Sequence, residues 1–80
     1  MEKIEIVGLR DVNFTDDSGR VVDGTSVYYL TAVDDVQGKM SGKLFVSRER
    51  RKQLSFFPTV GDTVMVIYDR RGKAIDFQPV

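Results

Sequence analysis

The pattern Asp-x-x-Gly occurs three times in this chain, as Asp16-Asp17-Ser18-Gly19, Asp35-Val36-Gln37-Gly38 and Asp69-Arg70-Arg71-Gly72. An Asp opening a type I turn bonds the backbone ahead of it, and the Gly takes the left-handed conformation that closes a bulged hairpin. Between these turns lie short runs rich in Val, Ile, Tyr and Phe, residues that favour strands over helices. The runs predict strands over Ile4 to Leu9, Val27 to Val33, Met40 to Val46, Thr63 to Tyr68 and Lys73 to Phe77. The three turns then join strands 1 and 2, strands 2 and 3, and strands 4 and 5. Alternation is cleanest late in the chain, where Val64, Val66 and Tyr68 share one face, and Ile75 and Phe77 point inward.

The connection between the third and fourth strands is different. Ser47 suits a helix N-cap, Glu49 the first turn, and Arg50 to Leu54 are good helix formers. Leu54, Phe56 and Phe57 supply anchors before Pro58 forbids continuation. The order is therefore strand, strand, strand, helix, strand, strand. It predicts an all-β domain, a five-stranded OB-like (Greek-key) barrel with one short helix between strands 3 and 4. An SH3-like barrel is the competing architecture, and the basic stretch after strand 3 favours the former. Asp23-Gly24 is a further turn signal inside the second strand, so the first loop extends from Thr15 to Thr25 or contains a bulge.

With 80 residues the chain forms one domain, 1–80. It has no Cys and no His, which removes disulfides, thiolate and Ser-His nucleophiles and the commonest metal ligands. The adjacent pairs Asp16-Asp17 and Asp34-Asp35 diverge, the latter lacks a calcium loop's ligand spacing, and no glycine cluster opens a helix to cradle phosphate. The reading is non-enzymatic, with no cofactor and no metal. No stretch of 18 apolar residues occurs and the first residues form no apolar leader, so the expectation is a cytoplasmic protein with no membrane association.

Twelve basic and twelve acidic residues cancel overall, but residues 1–37 carry a net −5 and residues 38–80 a net +5. On an OB-like barrel the binding face is that of strands 2 and 3, walled by the loops between strands 1–2 and 4–5. Single-stranded nucleic acid needs flat rings for its bases and cations for its phosphates. With Leu44 and Val46 inward, Lys43 and Phe45 face outward; one of Tyr28 and Tyr29 must also do so. Arg48 begins the basic helix, and Arg70, Arg71 and Lys73 sit in the last turn. Each has a plainer role open to it. Phe45 suits a place under the helix or a dimer partner, and the tyrosines suit the core. The run Arg48 to Lys52 suits a solvated helix face, and the last turn an ordinary polar hairpin tip. Asp16, Asp17 and Asp23 in the first loop oppose phosphate.

The stretch Val60 to Lys73, with its Gly61-Asp62-Thr63-Val64 opening and its Tyr68-Asp69-Arg70-Arg71-Gly72-Lys73 turn, resembles that of small, mostly uncharacterised proteins of phages and integrative elements of Gram-positive bacteria. The order of turns and strands is similar to that of the helix-destabilising, single-stranded-DNA-binding proteins of filamentous phages. The resemblance implies an OB-like barrel, a homodimer, and cooperative coating of DNA by exposed aromatics and cations, with Tyr28, Phe45, Arg70 and Lys73 the positions to suspect. The balanced charge and the acidic first loop depart from that pattern. The expected function is thus a non-enzymatic single-stranded nucleic-acid-binding protein of a phage or mobile element, with DNA or RNA as partner. Phe56, Phe57 and Phe77, more apolar surface than so small a barrel buries, also point to a homodimer. The alternative is a small β-barrel protein–protein interaction module with no nucleic-acid ligand; an oligosaccharide binder is a third.

Overall fold

The computed structural model describes residues 2–80, with only the backbone of Glu2. Five strands, β1 (Glu2–Thr15), β2 (Val21–Ala32), β3 (Lys39–Ser47), β4 (Thr63–Tyr68) and β5 (Ala74–Pro79), form one antiparallel sheet in the order β3-β2-β1-β4-β5. The single helix, α1 (Arg48–Gln53), lies between β3 and β4. The all-β class, the five strands and the position of the helix match the sequence reading. Among the described residues no helix is long and apolar enough to cross a membrane.

β1 is the central strand and has two partners. Its first residues, Glu2 to Glu5, pair with β4, and from Glu5 onward it pairs with β2. A bulge between Ile6 and Gly8 lets the strand change partners. It also resets the alternation, because Val7 and Gly8 both fall on the outer face. Ile4, Ile6 and Leu9 can then all face the core, although their spacing breaks a strict period of two. Burial gathers one contribution or more from every strand: Ile4, Ile6, Val27, Val46, Val64, Val66 and Phe77.

The Asp16 and Asp69 turns form as their sequences predict. In each, the fourth-residue Gly N–H donates to the Asp carbonyl at 3.0 Å, and the Asp carboxylate accepts backbone N–H groups of residues two and four ahead. Gly19 and Gly72 have φ of 86° and 79°, the left-handed region where an L side chain is strained. The second loop differs. Its hydrogen-bonded turn runs from Val33 to Val36, so Asp35 lies within the turn and does not open it.

Two strands are longer than their sequences suggest. β1 continues past Leu9 to Thr15, and β2 begins at Val21 instead of Val27, so Asp23-Gly24 lies inside a strand and makes no turn. The glycine is there for close approach. A β-carbon on Gly24 would collide with the Val46 carbonyl oxygen of the neighbouring strand and would lie 2.9 Å from the Ser47 Cα. As a result β1 and β2 extend beyond β3 and β4 as a two-stranded arm from Asn13 to Asp23. The arm lengthens the molecule to 41 Å along one axis against 26 Å along the others.

α1 is capped as expected, the Ser47 hydroxyl accepting the Arg50 N–H at 3.1 Å. None of its residues is buried, and two turns do not persist alone. What holds it follows in the chain: Leu54, Phe56 and Phe57 pack on the core, Phe57 meets Phe77 edge to face at 6.3 Å, and Arg51 lies 4.0 Å above the Phe57 ring. Phe77 is buried and the other two phenylalanines are partly so. Of the three rings expected to leave apolar surface over, Phe77 leaves none, while Phe56 and Phe57 leave a part. The large apolar residues left exposed include Phe14, Val21 and Phe45.

Candidate nucleic-acid interface

Alternation sorts the side chains of β2 and β3 onto two faces. Thr25, Val27, Tyr29, Leu44 and Val46 turn to the core; Ser26, Tyr28, Lys43 and Phe45 turn outward. Register carries the outer row across three strands: Arg10 opposes Ser26 and Ser26 opposes Phe45, while Gly8 opposes Tyr28 and Tyr28 opposes Lys43. Val12 and Phe14 of β1, with Val22 of β2, extend the row along the arm. These residues line an open groove of about 510 Å³. Its rings are Phe14, Tyr28 and Phe45, and its cations are Arg10 and Lys43. Phe14 is 52% exposed and Phe45 44% exposed, while Ser26, between Arg10 and Phe45, is only 5% exposed and forms the floor.

Glycines seat the rings. Tyr28 lies across Gly8, with Cδ2 3.4 Å from where a β-carbon would be, and the tip of Phe45 lies over Gly24. On the core face Tyr29 covers Gly42 in the same way. Each ring occupies the space that a glycine on the neighbouring strand leaves, directly opposite for Tyr28 and Tyr29 and diagonal for Phe45.

Beyond Phe45 a second depression of about 220 Å³ continues toward the start of β5. It is lined by Phe45 and Ser47, by Glu49, Arg50 and Gln53 of α1, and by Lys73 and Ala74. Phe45 thus stands between two hollows, with Arg10 and Lys43 on one side and Arg50 and Lys73 on the other. A larger depression of about 780 Å³ lies by Lys3, Glu5, Leu30 and Lys39, but it contains no ring, and its Lys39 is paired with Glu5 at 3.0 Å.

The sequence-derived residues divide accordingly. Tyr28, Lys43, Phe45 and Lys73 come together around this surface. Tyr29 does not, because it packs on the core from the opposite face. Arg48 is also elsewhere, held by Asp23 in a two-pronged contact, Nε to Oδ2 at 2.7 Å and Nη2 to Oδ1 at 3.1 Å. The guanidinium lowers the Asp23 carboxyl below its ordinary value, and the carboxylate raises Arg48. Arg70 and Arg71 stand exposed in the turn next to Lys73, without a side-chain partner among the described residues. Arg10, Phe14 and Arg50 were missed. The alternating Gly8, Arg10, Val12 and Phe14 running directly into the Asp16 turn would have disclosed the first two.

Of the acidic residues of the first hairpin, Asp11 is among those that line the groove, and three of them are engaged by neighbours. Asp11 accepts from the Thr25 hydroxyl at 3.3 Å on the core side of the sheet, and Asp23 is neutralised by Arg48. Asp16 is held in its own turn, where the Ser18 hydroxyl and then the Arg20 N–H lower its carboxyl.

No family model matches the chain, and neither a curated protein nor a solved structure matches it.

Proposed function

We propose that this chain is a non-enzymatic binding protein for single-stranded nucleic acid, of the kind carried by phages and mobile elements, built on an OB-like barrel. Support for the barrel comes from three features. One is the strand order with the helix after β3. A second is the bulge that lets β1 serve two partners, as a strand shared between the halves of a curled sheet must. The third is the approach of the two outer strands, since β3 and the start of β5 line one depression around α1.

The observation that carries the ligand is the outer row of β1, β2 and β3, where the rings of Phe14, Tyr28 and Phe45 share one groove with the cations Arg10 and Lys43. Bases stack on such rings whatever their identity, at about 1–3 kcal/mol each, and cations at the edges take the phosphates. A strand laid along this row passes Phe14, Phe45 and Lys73 in turn and meets Arg10, Lys43 and Arg50 at its margins. The test is fluorescence anisotropy with a labelled oligo-dT and an oligo-U of equal length over a range of salt. Binding should weaken as salt rises with a log–log slope of about −0.7 per phosphate neutralised. No anisotropy change at low salt and protein concentrations of about 100 µM, the weak end of ordinary non-specific affinities, refutes the reading.

A further inference from the structure

Among the described residues, one edge of β1 has no strand paired to it over most of its length. β4 pairs with it only as far as Glu5, and the Thr59–Asp62 turn extends the ladder by one residue, Gly61 and Asp62 bonding the backbone of Ile6 at 2.9 and 2.8 Å. From there to the tip, β1 has β2 on one side and no strand on the other among the described residues. The direction of its free groups follows from the ladder. Asp16 donates its N–H to Arg20 across the turn, and an antiparallel ladder alternates, so Phe14, Val12 and Arg10 address β2. Leu9, Asp11, Asn13 and Thr15 then direct their N–H and C=O groups outward.

Those four positions are symmetric about Val12. We propose that a second copy of this chain docks on this edge, β1 against β1, antiparallel, with the two-fold axis at Val12. In that register every outward group is paired at once: Asp11 opposes the partner's Asn13 and Leu9 opposes the partner's Thr15, giving about eight inter-strand hydrogen bonds. Shifting the axis by one residue either way leaves some of these groups unpaired, and a shift to Asp11 sets two carboxylates against each other. The side chains also suit the register. On the outer face Val12 meets its symmetry mate, and Arg10 opposes the partner's Phe14, a cation over a ring. No like charges meet. The stretch Leu9 to Thr15 has neither Pro nor Lys to blunt its edge, and its two charges, Arg10 and Asp11, meet a ring and an amide of the partner in this register. The arm gains most. Two strands alone with Phe14 and Val21 exposed are marginal, and docking makes the arm four-stranded.

The axis is perpendicular to the sheet, so the outer rows of both copies lie on one face and the two grooves meet at the Arg10–Phe14 contacts. This joining of grooves rests on the nucleic-acid reading; the dimer itself does not.

The chain has no cysteine, which makes a cross-link unambiguous. Across a non-hydrogen-bonded antiparallel pair the Cα atoms lie about 4.5 Å apart, within disulfide range. Val12→Cys should therefore form a disulfide-linked dimer nearly completely on mild oxidation without nucleic acid, whereas Val60→Cys, exposed in the turn before β4, should not. Sedimentation equilibrium of the unmodified chain should give twice the 9.1 kDa protomer mass. Asn13→Pro removes only an edge N–H, and should return the protomer mass with an unchanged circular dichroism spectrum. A protomer mass at about 100 µM, or a dimer that survives Asn13→Pro and does not cross-link at residue 12, overturns the proposal. If the cross-link forms but oligonucleotides do not bind, the dimer stands and the nucleic-acid reading falls.

Discussion

Phe45 lies across Gly24 on the neighbouring strand, its Cζ only 2.6 Å from the point where a β-carbon on that glycine would sit. The ring is thereby held flat on the sheet while remaining 44% exposed. Removing the ring and filling its seat should have different consequences. Phe45→Ala gives up partial burial worth about 1 kcal/mol, so the protein should stay folded. It should lose about ten- to a hundredfold in oligonucleotide affinity, the value of one stacked base. Gly24→Ala presses on the β3 backbone as well as the ring and should cost stability, on the order of 1–3 kcal/mol in a urea melt. Should Phe45→Ala unfold the chain, the ring serves the fold and not a ligand.

Tyr28 and Tyr29 are adjacent in sequence and serve opposite faces. Tyr29 packs on the core over Gly42, so Tyr29→Ala should destabilise the protein by about 2–4 kcal/mol, near the lower end for an aromatic truncation because the residue is only partly buried. Tyr28→Ala should cost less stability and more affinity. Paired urea melts and anisotropy titrations read both quantities; affinity losses of equal size in the two variants would remove the distinction between the faces.

Much of this division is legible in the sequence. The alternation of Leu44 and Val46 against Lys43 and Phe45 gave the right faces for β3, and the Asp16 and Asp69 turns were readable from their own residues because their hydrogen bonds are local. What could not be read was tertiary. Asp23-Gly24 has the chemistry of a turn, yet it lies in a strand because the β3 backbone and Phe45 need the space. The bulge at Val7 hides the link between Ile6 and Leu9 from a period-two reading, so β1 reads as ending at Leu9, short of Arg10 and Phe14. Arg48 looked like a free cation because its partner, Asp23, is distant in sequence and close only through the β2–β3 pairing.

The pairing of Arg48 separates it from the other cations in a salt titration. Lys43→Ala and Lys73→Ala each remove a cation beside Phe45, and each should make the log–log salt slope shallower by about 0.7 while weakening all base sequences alike. Arg48→Ala breaks the contact with Asp23 and should lower the thermal midpoint with the slope unchanged. Arg70→Ala/Arg71→Ala tests whether the exposed turn reaches the phosphates: a slope reduced by twice that amount assigns both residues to the ligand, and an unchanged slope confines the contact to Lys73.

Acid should loosen the hairpins before it unfolds the core. In Asp69 the Lys73 N–H bond outweighs slight desolvation and, with the Arg71 N–H and the nearby Arg50 and Lys73 charges, holds the carboxyl below 3.8. Asp16 is lowered by Ser18 and Arg20. For Asp76, desolvation is the largest single influence and acts upward, but the Ser55 hydroxyl with the Phe77 and Ser55 N–H groups together prevail. A carboxyl that is more acidic when folded contributes stability that is full above its unfolded pKa, about 3.9, and disappears as the pH falls through the folded value. The thermal midpoint should therefore be flat from pH 7 to about 5 and drop below about 4. Asp69→Asn keeps an acceptor oxygen for the two N–H groups but does not titrate. Its midpoint should start below the parent's at neutral pH and converge on it in acid, as the parent loses a charge the variant never had. Curves that stay parallel down to about pH 2 would place the acid sensitivity elsewhere than in this turn.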